Sequence, residues 1–229
     1  MIAVIVAIQS EFDAIQQLLS EKKEIICKDV SYTTGKISNK EIVLAICGVG
    51  KVAAAICCCR LLENFEIDYV VNIGTAGGIK EYENIGDVMV ADKLTYHDYD
   101  TSAFDNYSIG FAQNPYVFYS DKKLVKKAST LLNDGLHQVF VGPLVSGDCF
   151  VSDSQKVSFI QKYYPEALAC EMEGCAIAQV CDSYHYPFIV IRSFSDIVIK
   201  KGNELDFDKY KELASKRAAD FLFKLCQID

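Results

Sequence analysis

Two short stretches of this chain hold the residues best suited to chemistry: Cys170-Glu171-Met172-Glu173 and, about twenty residues on, Arg192-Ser193-Phe194-Ser195-Asp196. They set three carboxylates at the margins of the apolar segments Ala167–Ala169 and Pro187–Ile191. Desolvating a carboxylate is costly, so one lying beside core sequence needs a partner or a reacting ligand. An ion pair with Arg192 would account for one of the three. For the set, acid–base chemistry is the better reading.

The rest of the composition narrows the class. The chain has 229 residues, long enough for a substantial core. Apolar residues make up 51% and charged residues 24%, as in an ordinary globular enzyme. A net charge of −8 with no Lys/Arg cluster argues against a nucleic-acid surface. The apolar start, Met1 to Ile8, has no basic leader and meets Glu11 within a few residues, which predicts a buried first strand and not a signal peptide. No apolar run reaches the length of a membrane span. The ten cysteines include no CxxC pair, and His97, His137 and His185 are far apart, so we expect free core thiols in a cytoplasmic protein and no metal site.

Strand and helix signals alternate. Residues 2–8, Tyr69–Ile73, the segment through Val88-Met89-Val90, Val139–Val145 and Phe188–Ile191 read as strands, and 24–47 as hairpins broken at Gly35 and Ser38-Asn39. Helices are expected over Glu11–Ser20, Lys51–Asn64, Asp121–Leu132 (capped by Ser120, stopped by Asn133-Asp134-Gly135), after Ser152 or Asp153, over Gly174–Ser183 and over Leu205–Leu225. With no linker or repeat, this predicts a single α/β domain over 1–229, a mixed central sheet flanked by helices. Gly48-Val49-Gly50-Lys51 lacks the first glycine and the final Ser/Thr of a phosphate-binding loop, so it reads as a tight strand-to-helix turn. The small residues Gly74-Thr75-Ala76-Gly77-Gly78, at a strand's carboxyl end, would let backbone approach a ligand closely.

Taken in order, Glu11, Gly48 to Ala55, Asn72 to Gly78, Tyr96-His97-Asp98, Ser146-Gly147-Asp148-Cys149-Phe150, Glu171-Met172-Glu173 and Ser195-Asp196 resemble the 5'-methylthioadenosine/S-adenosylhomocysteine nucleosidases, of the purine nucleoside phosphorylase type. The likeness runs from residue 2 to the last helix. It implies a nucleoside phosphorylase-like fold, a mixed sheet forming a distorted barrel, in a homodimer that needs no cofactor. It implies hydrolysis of the bond between adenine and a thio-substituted ribose. Asp196 would protonate the leaving purine, with Ser195 orienting it, and its pKa would have to be raised. Glu11 would activate water, placed by Arg192 and Thr75. Glu173 would accept from the ribose hydroxyls and Met172 would pack on the sugar. Phe150 would stack on adenine, Val151 backbone would read its edge, and Ala76 and Gly77 would border the ligand. Ile8 and Val49, with Phe104 and Pro115 of a second subunit, would enclose the 5' group.

Each residue also has a plainer reading: Phe150 and Met172 as core, Glu11 as a first-turn helix acid, Arg192 as an ion-pair partner, and Tyr96-His97-Asp98 as structural hydrogen bonding. Thr75 departs from the family's usual serine. Three rivals stand at this level. A phosphorylase would need several arginines for phosphate, and the chain has only Arg60, Arg192 and Arg217, with Asn72 where that class carries one. A nucleosidase for futalosine-type substrates shares the core motifs. A non-catalytic nucleoside binder would be expected to lack Glu11 or Asp196.

Overall fold

Ile2–Val6 (β1) is buried at all five positions, because it is an inner strand with parallel neighbours on both sides and is covered on both faces. The computed structural model describes residues 1–28, 30–104, 109–112, 114–131, 137–200 and 203–228. After β1 come α1 (Gln9–Gln16), β2 (Ser20–Cys27), β3 (Val30–Ile37), β4 (Lys40–Ile46), α2 (Lys51–Asn64) and β5 (Tyr69–Gly78). Then follow β6 (Val88–Tyr96), β7 (Val117–Tyr119), α3 (Lys122–Ser129), β8 (Val139–Ser146), α4 (Ser154–Tyr163) and β9 (Ala169–Glu171). The chain closes with α5 (Gly174–Ser183), β10 (Phe188–Ile197) and α6 (Asn203–Gln227). Among the described residues, no helix is long and apolar enough to cross a membrane.

The sheet order β10-β6-β8-β9-β5 is closed by direct pairing of β10 with β5, which makes a five-stranded mixed barrel. From β5 the sheet continues through β1, β4, β3 and β2, while β7 pairs with β6. Period-two alternation separates two cores across it. Ala3 and Ile5 join the cluster with α2 and α5 residues such as Cys58, Leu61, Ile177 and Cys181. Ile2, Val4 and Val6 join the one with Ile15 of α1 and Ala218, Leu222 and Leu225 of α6. All ten cysteines are free, and Cys58 and Cys181 meet at 3.8 Å between α2 and α5.

The elements depart from expectation where the site begins. Strand β5 does not stop at Ile73 but runs through Gly78, and β10 runs past Ile191 to Ile197. Between Phe194 and Asp196 the pairing of β10 with β5 slips by one: Phe194 stands opposite Ala76 and Asp196 opposite Gly77, leaving Ser195 as a bulge. Helix α1 starts at Gln9 and ends at Gln16, and Ser20 already belongs to β2. Gly35 sits inside β3 and breaks nothing; a Cβ there would meet Ser20 O at 2.7 Å, so it permits close strand approach. Asp121, not Ser120, caps α3, and Asp153 caps α4. The expected stop at Asn133-Asp134-Gly135 lies outside the described residues.

Candidate active site

A cavity of about 440 Å³ opens where the carboxyl ends of β1, β5 and β10 meet β9. Of the residues to which the resemblance gives a role, Ile8, Glu11, Val49, Thr75, Ala76, Gly77, Phe150, Val151, Met172, Glu173, Ser195 and Asp196 line it. Arg192, Phe104 and Pro115 do not.

Glu11 occupies the first turn of α1 and is almost wholly buried. One carboxylate oxygen accepts from the backbone N–H groups of Ala7 (2.9 Å) and Ile8 (3.2 Å). The other accepts from Thr75 N–H (2.8 Å) and the Thr75 hydroxyl (3.1 Å). The residue is thus both a helix-start acid that reaches back to its own cap and a cavity carboxylate tied to β5. The threonine hydroxyl makes the bond that a serine hydroxyl would make.

Glu173 follows β9 and sends one oxygen to Gly50 N–H (2.9 Å), across the chain at the start of α2. Gly50 holds φ at +101°, a conformation that favours glycine, and this turns its N–H toward the site. The cap of α2 is also supplied from afar: Asp148 Oδ1 accepts from Lys51 N–H at 2.8 Å. Burial pushes the Glu173 carboxyl up to about 8, with the neighbouring Glu171 charge adding to the rise.

Glu171 has the opposite fate. Burial opposes its charge, yet the Arg192 guanidinium 2.6 Å away and the Ser146 hydroxyl hold it below the usual carboxylate range. It also accepts from the N–H groups of Glu173 (3.0 Å) and Gly174 (2.7 Å), so it fixes the turn that aims Glu173. Arg192 is buried and hydrogen-bonded to Asn72 and Glu171. The guanidinium, expected to help place water, lies behind the cavity lining and props the carboxylates from there.

Asp196 is buried at the β10 bulge. Ser195 Oγ donates to its Oδ1 (2.8 Å) and Asn203 Nδ2 to its Oδ2 (2.7 Å). Burial pushes its carboxyl above the ordinary value, against the pull of those two donors, while Asp206 pushes it further up. Gly77 is required beside it, since a Cβ there would lie 2.4 Å from Val198 and 3.0 Å from Asp196 Oδ2.

Phe150 is 41% exposed and meets Phe207 of α6 edge-on, with ring centroids 5.4 Å apart. Phe207, Val198, Cys149 and Cys170 also line the cavity, and sequence reasoning had not placed them there. Asn203 was likewise missed; an asparagine before an amphipathic helix reads as a cap. Tyr96 and Asp98 make the hydrogen bonds of a structural pair: Tyr96 bonds Gln179 (2.6 Å), and Asp98 takes Lys51 Nζ (2.7 Å) and Asp148 N–H (2.9 Å). His97 packs on Gly147, where a Cβ would lie 2.4 Å from its ring. Phe104, 90% exposed, and Pro115, also exposed, lie away from the cavity of this chain.

The model of the phosphorylase superfamily matches residues 1–227. The chain is 35% identical over 229 residues to the 5'-methylthioadenosine/S-adenosylhomocysteine nucleosidase of Staphylococcus haemolyticus (strain JCSC1435), with 100% of both chains covered. The chain belongs to the phosphorylase superfamily and, within it, to these nucleosidases. Its fold is similar to that of the nucleosidase from S. pneumoniae solved with the transition-state inhibitor MT-ImmA: TM-score 0.91, 35% identity, 99% of this chain and 98% of that one covered. It is similar also to the nucleosidase of Colwellia psychrerythraea 34H in complex with adenine: TM-score 0.92, 31% identity, 98% and 93% covered. The barrel fold is therefore that of the family.

Proposed function

We propose that this chain hydrolyses the N-glycosidic bond of 5'-methylthioadenosine and S-adenosylhomocysteine, releasing adenine and the thio-substituted ribose. Asp196 gives its proton to the purine ring nitrogen at position seven as the bond to the anomeric carbon breaks and its electron pair passes to the base. Water adds to the anomeric carbon and loses a proton to Glu11. Glu173 and Met172 hold the sugar, Phe150 and Phe207 flank the base, and the backbone at Val151 reads its edge. Sharing of charge over base, sugar and water in this way is general acid–base catalysis of an oxocarbenium-like transition state.

One observation carries this reading. Glu11 is keyed to Thr75 and Asp196 stands opposite Gly77, two positions of one strand that share a face and lie about 7 Å apart. Base and acid thus face one cavity, as cleavage between a ribose and a purine requires. A sharper point separates water from phosphate as acceptor. Among the described residues the cavity lining carries four carboxylates, Glu11, Glu171, Glu173 and Asp196, and no Lys or Arg. A phosphate dianion there would find no fixed cation of the lining to balance its charge.

A homodimer fits as well. Val49, Val52 and Ile56 expose 55%, 69% and 48% of their surfaces at the start of α2, beside the cavity that Val49 lines. Phe104 and Pro115 of a second copy would close that 5' side, where a thioether favours apolar walls. Ten free thiols suit a cytoplasmic setting.

The test is adenine release from 5'-methylthioadenosine in phosphate-free buffer with a chelator, and identification of the sugar by mass. Free methylthioribose is expected, and Asp196→Asn should lose about 10²–10⁴-fold in kcat. Accumulation of the sugar 1-phosphate would replace the reading by a phosphorylase.

A further inference from the structure

Asn203, the first residue of α6, is fully buried and does not line the cavity. Its Nδ2 makes two bonds, to Asp196 Oδ2 at 2.7 Å and to Val151 O at 2.9 Å. The carboxamide has two N–H hydrogens, so both are committed. Its Oδ1 is buried and finds no hydrogen-bond partner among the described residues. A buried amide with an unsatisfied oxygen is a poor space-filler, since an apolar side chain of similar volume would avoid that desolvation cost. What it does supply is a rigid link between the carboxyl of β10 and the carbonyl that follows Phe150.

We propose that Asn203 is a positioning residue for the glycosidic cleavage, fixing the Asp196 carboxyl and the base-reading Val151 backbone in one frame and favouring the carboxylate that Asp196 becomes when it gives up its proton. The proposal rests on the nucleosidase reading above. With Ser195 donating to Oδ1 and Asn203 to Oδ2, both oxygens of the spent acid are satisfied at the moment its charge appears. Other polar or ionisable groups near Asp196 are Asp206 on α6 and the Cys170 thiol on β9; on β5 it faces Gly77, and among the described residues no cation is a leading influence on it. Among the described residues, the amide is therefore the donor from outside β10 that offsets burial.

The effect on pH follows in sign. Asp196 works protonated, so activity falls as pH rises through its pKa, and removing a donor to the ionised form moves that fall upward. A hydrogen bond to a charged group corresponds to about one to two pH units. Asn203→Ala should shift the basic limb of the kcat/KM profile upward by that amount. Its plateau kcat should drop by roughly 3- to 10-fold, since a weaker acid protonates the base less readily. Asn203→Asp, nearly isosteric, should shift the limb in the same direction and further, because two adjacent carboxyls then share a proton. Both variants are measured with 5'-methylthioadenosine beside the unaltered protein, with thermal melts to establish folding; the aspartate variant carries the test if the alanine variant does not fold. A basic limb that stays in place in a folded variant overturns the proposal. An unaltered protein that releases no adenine overturns the nucleosidase reading instead.

Discussion

Gly74 lies so close to the Glu11 carboxylate that a Cβ at residue 74 would stand 2.5 Å from Glu11 Oε1. The strand that carries Thr75 can approach the helix that carries Glu11 only because residue 74 has no side chain. Gly74→Ala should therefore displace the carboxylate from Thr75 and lower kcat by at least about tenfold, with Glu11→Gln losing about 10²–10⁴-fold. Steady-state adenine release measures both. Unchanged turnover in Glu11→Gln would remove it as the base.

The ion pair of Glu171 and Arg192 should matter to stability more than to turnover. Both side chains are buried, and either one left alone would be an uncompensated charge. Glu171→Gln or Arg192→Met should each cost about 3–5 kcal/mol in urea unfolding, and the double variant less than the sum. Strict additivity would show that the two do not act as a pair.

Glu173 ties stability to pH. Its carboxyl titrates at about 8 in the folded chain against 4.5 ordinarily. Between those values the unfolded chain releases a proton that the folded chain keeps, so the stability present below pH 4.5 is lost as pH rises toward 8. Glu173→Gln, which can still accept from Gly50 N–H, should raise Tm relative to the parent at pH 8 and match it near pH 4.5. Melts across that range in the absence of ligand would show the gap opening; a constant gap would contradict the raised titration.

Association should depend on the exposed apolar start of α2. Ile56→Asp or Val52→Asp should turn a dimer into a monomer in light scattering, and raise KM for 5'-methylthioadenosine more than for adenosine, because the partner is expected to wall the 5' group. A parent chain that is already monomeric and fully active would end this idea.

The sequence made most of the framework legible. Long apolar runs predicted β1, β8 and β10, and α2 and α5 fall on the expected residues. Strand β9, at three residues, has no periodicity to read; it exists because Gly77 and Gly78 on one side and Leu144 to Ser146 on the other leave a gap that Ala169–Glu171 completes. Arg192 shows a different limit: an ion-pair partner could be expected from its residue type, but which groups it meets is set by where β10 crosses Asn72 and Glu171. Phe207 and Asn203 were invisible for a related reason. A helix pattern says which face is apolar, not which cavity its first turn meets.

The bulge at Ser195 has a consequence for charge. In an unbroken strand residues 192, 194 and 196 would share a side. The additional residue turns Asp196 away from that side, so the guanidinium acts on Glu171, Glu173 and Glu11 and is not among the leading influences on the acid. One strand thereby serves two carboxyls shifted in opposite directions: Glu171, held low by the Arg192 guanidinium, and Asp196, pushed up by burial four residues beyond that arginine. Without that single added residue the acid would share a side with a permanent positive charge, which would hold it ionised with no proton to give.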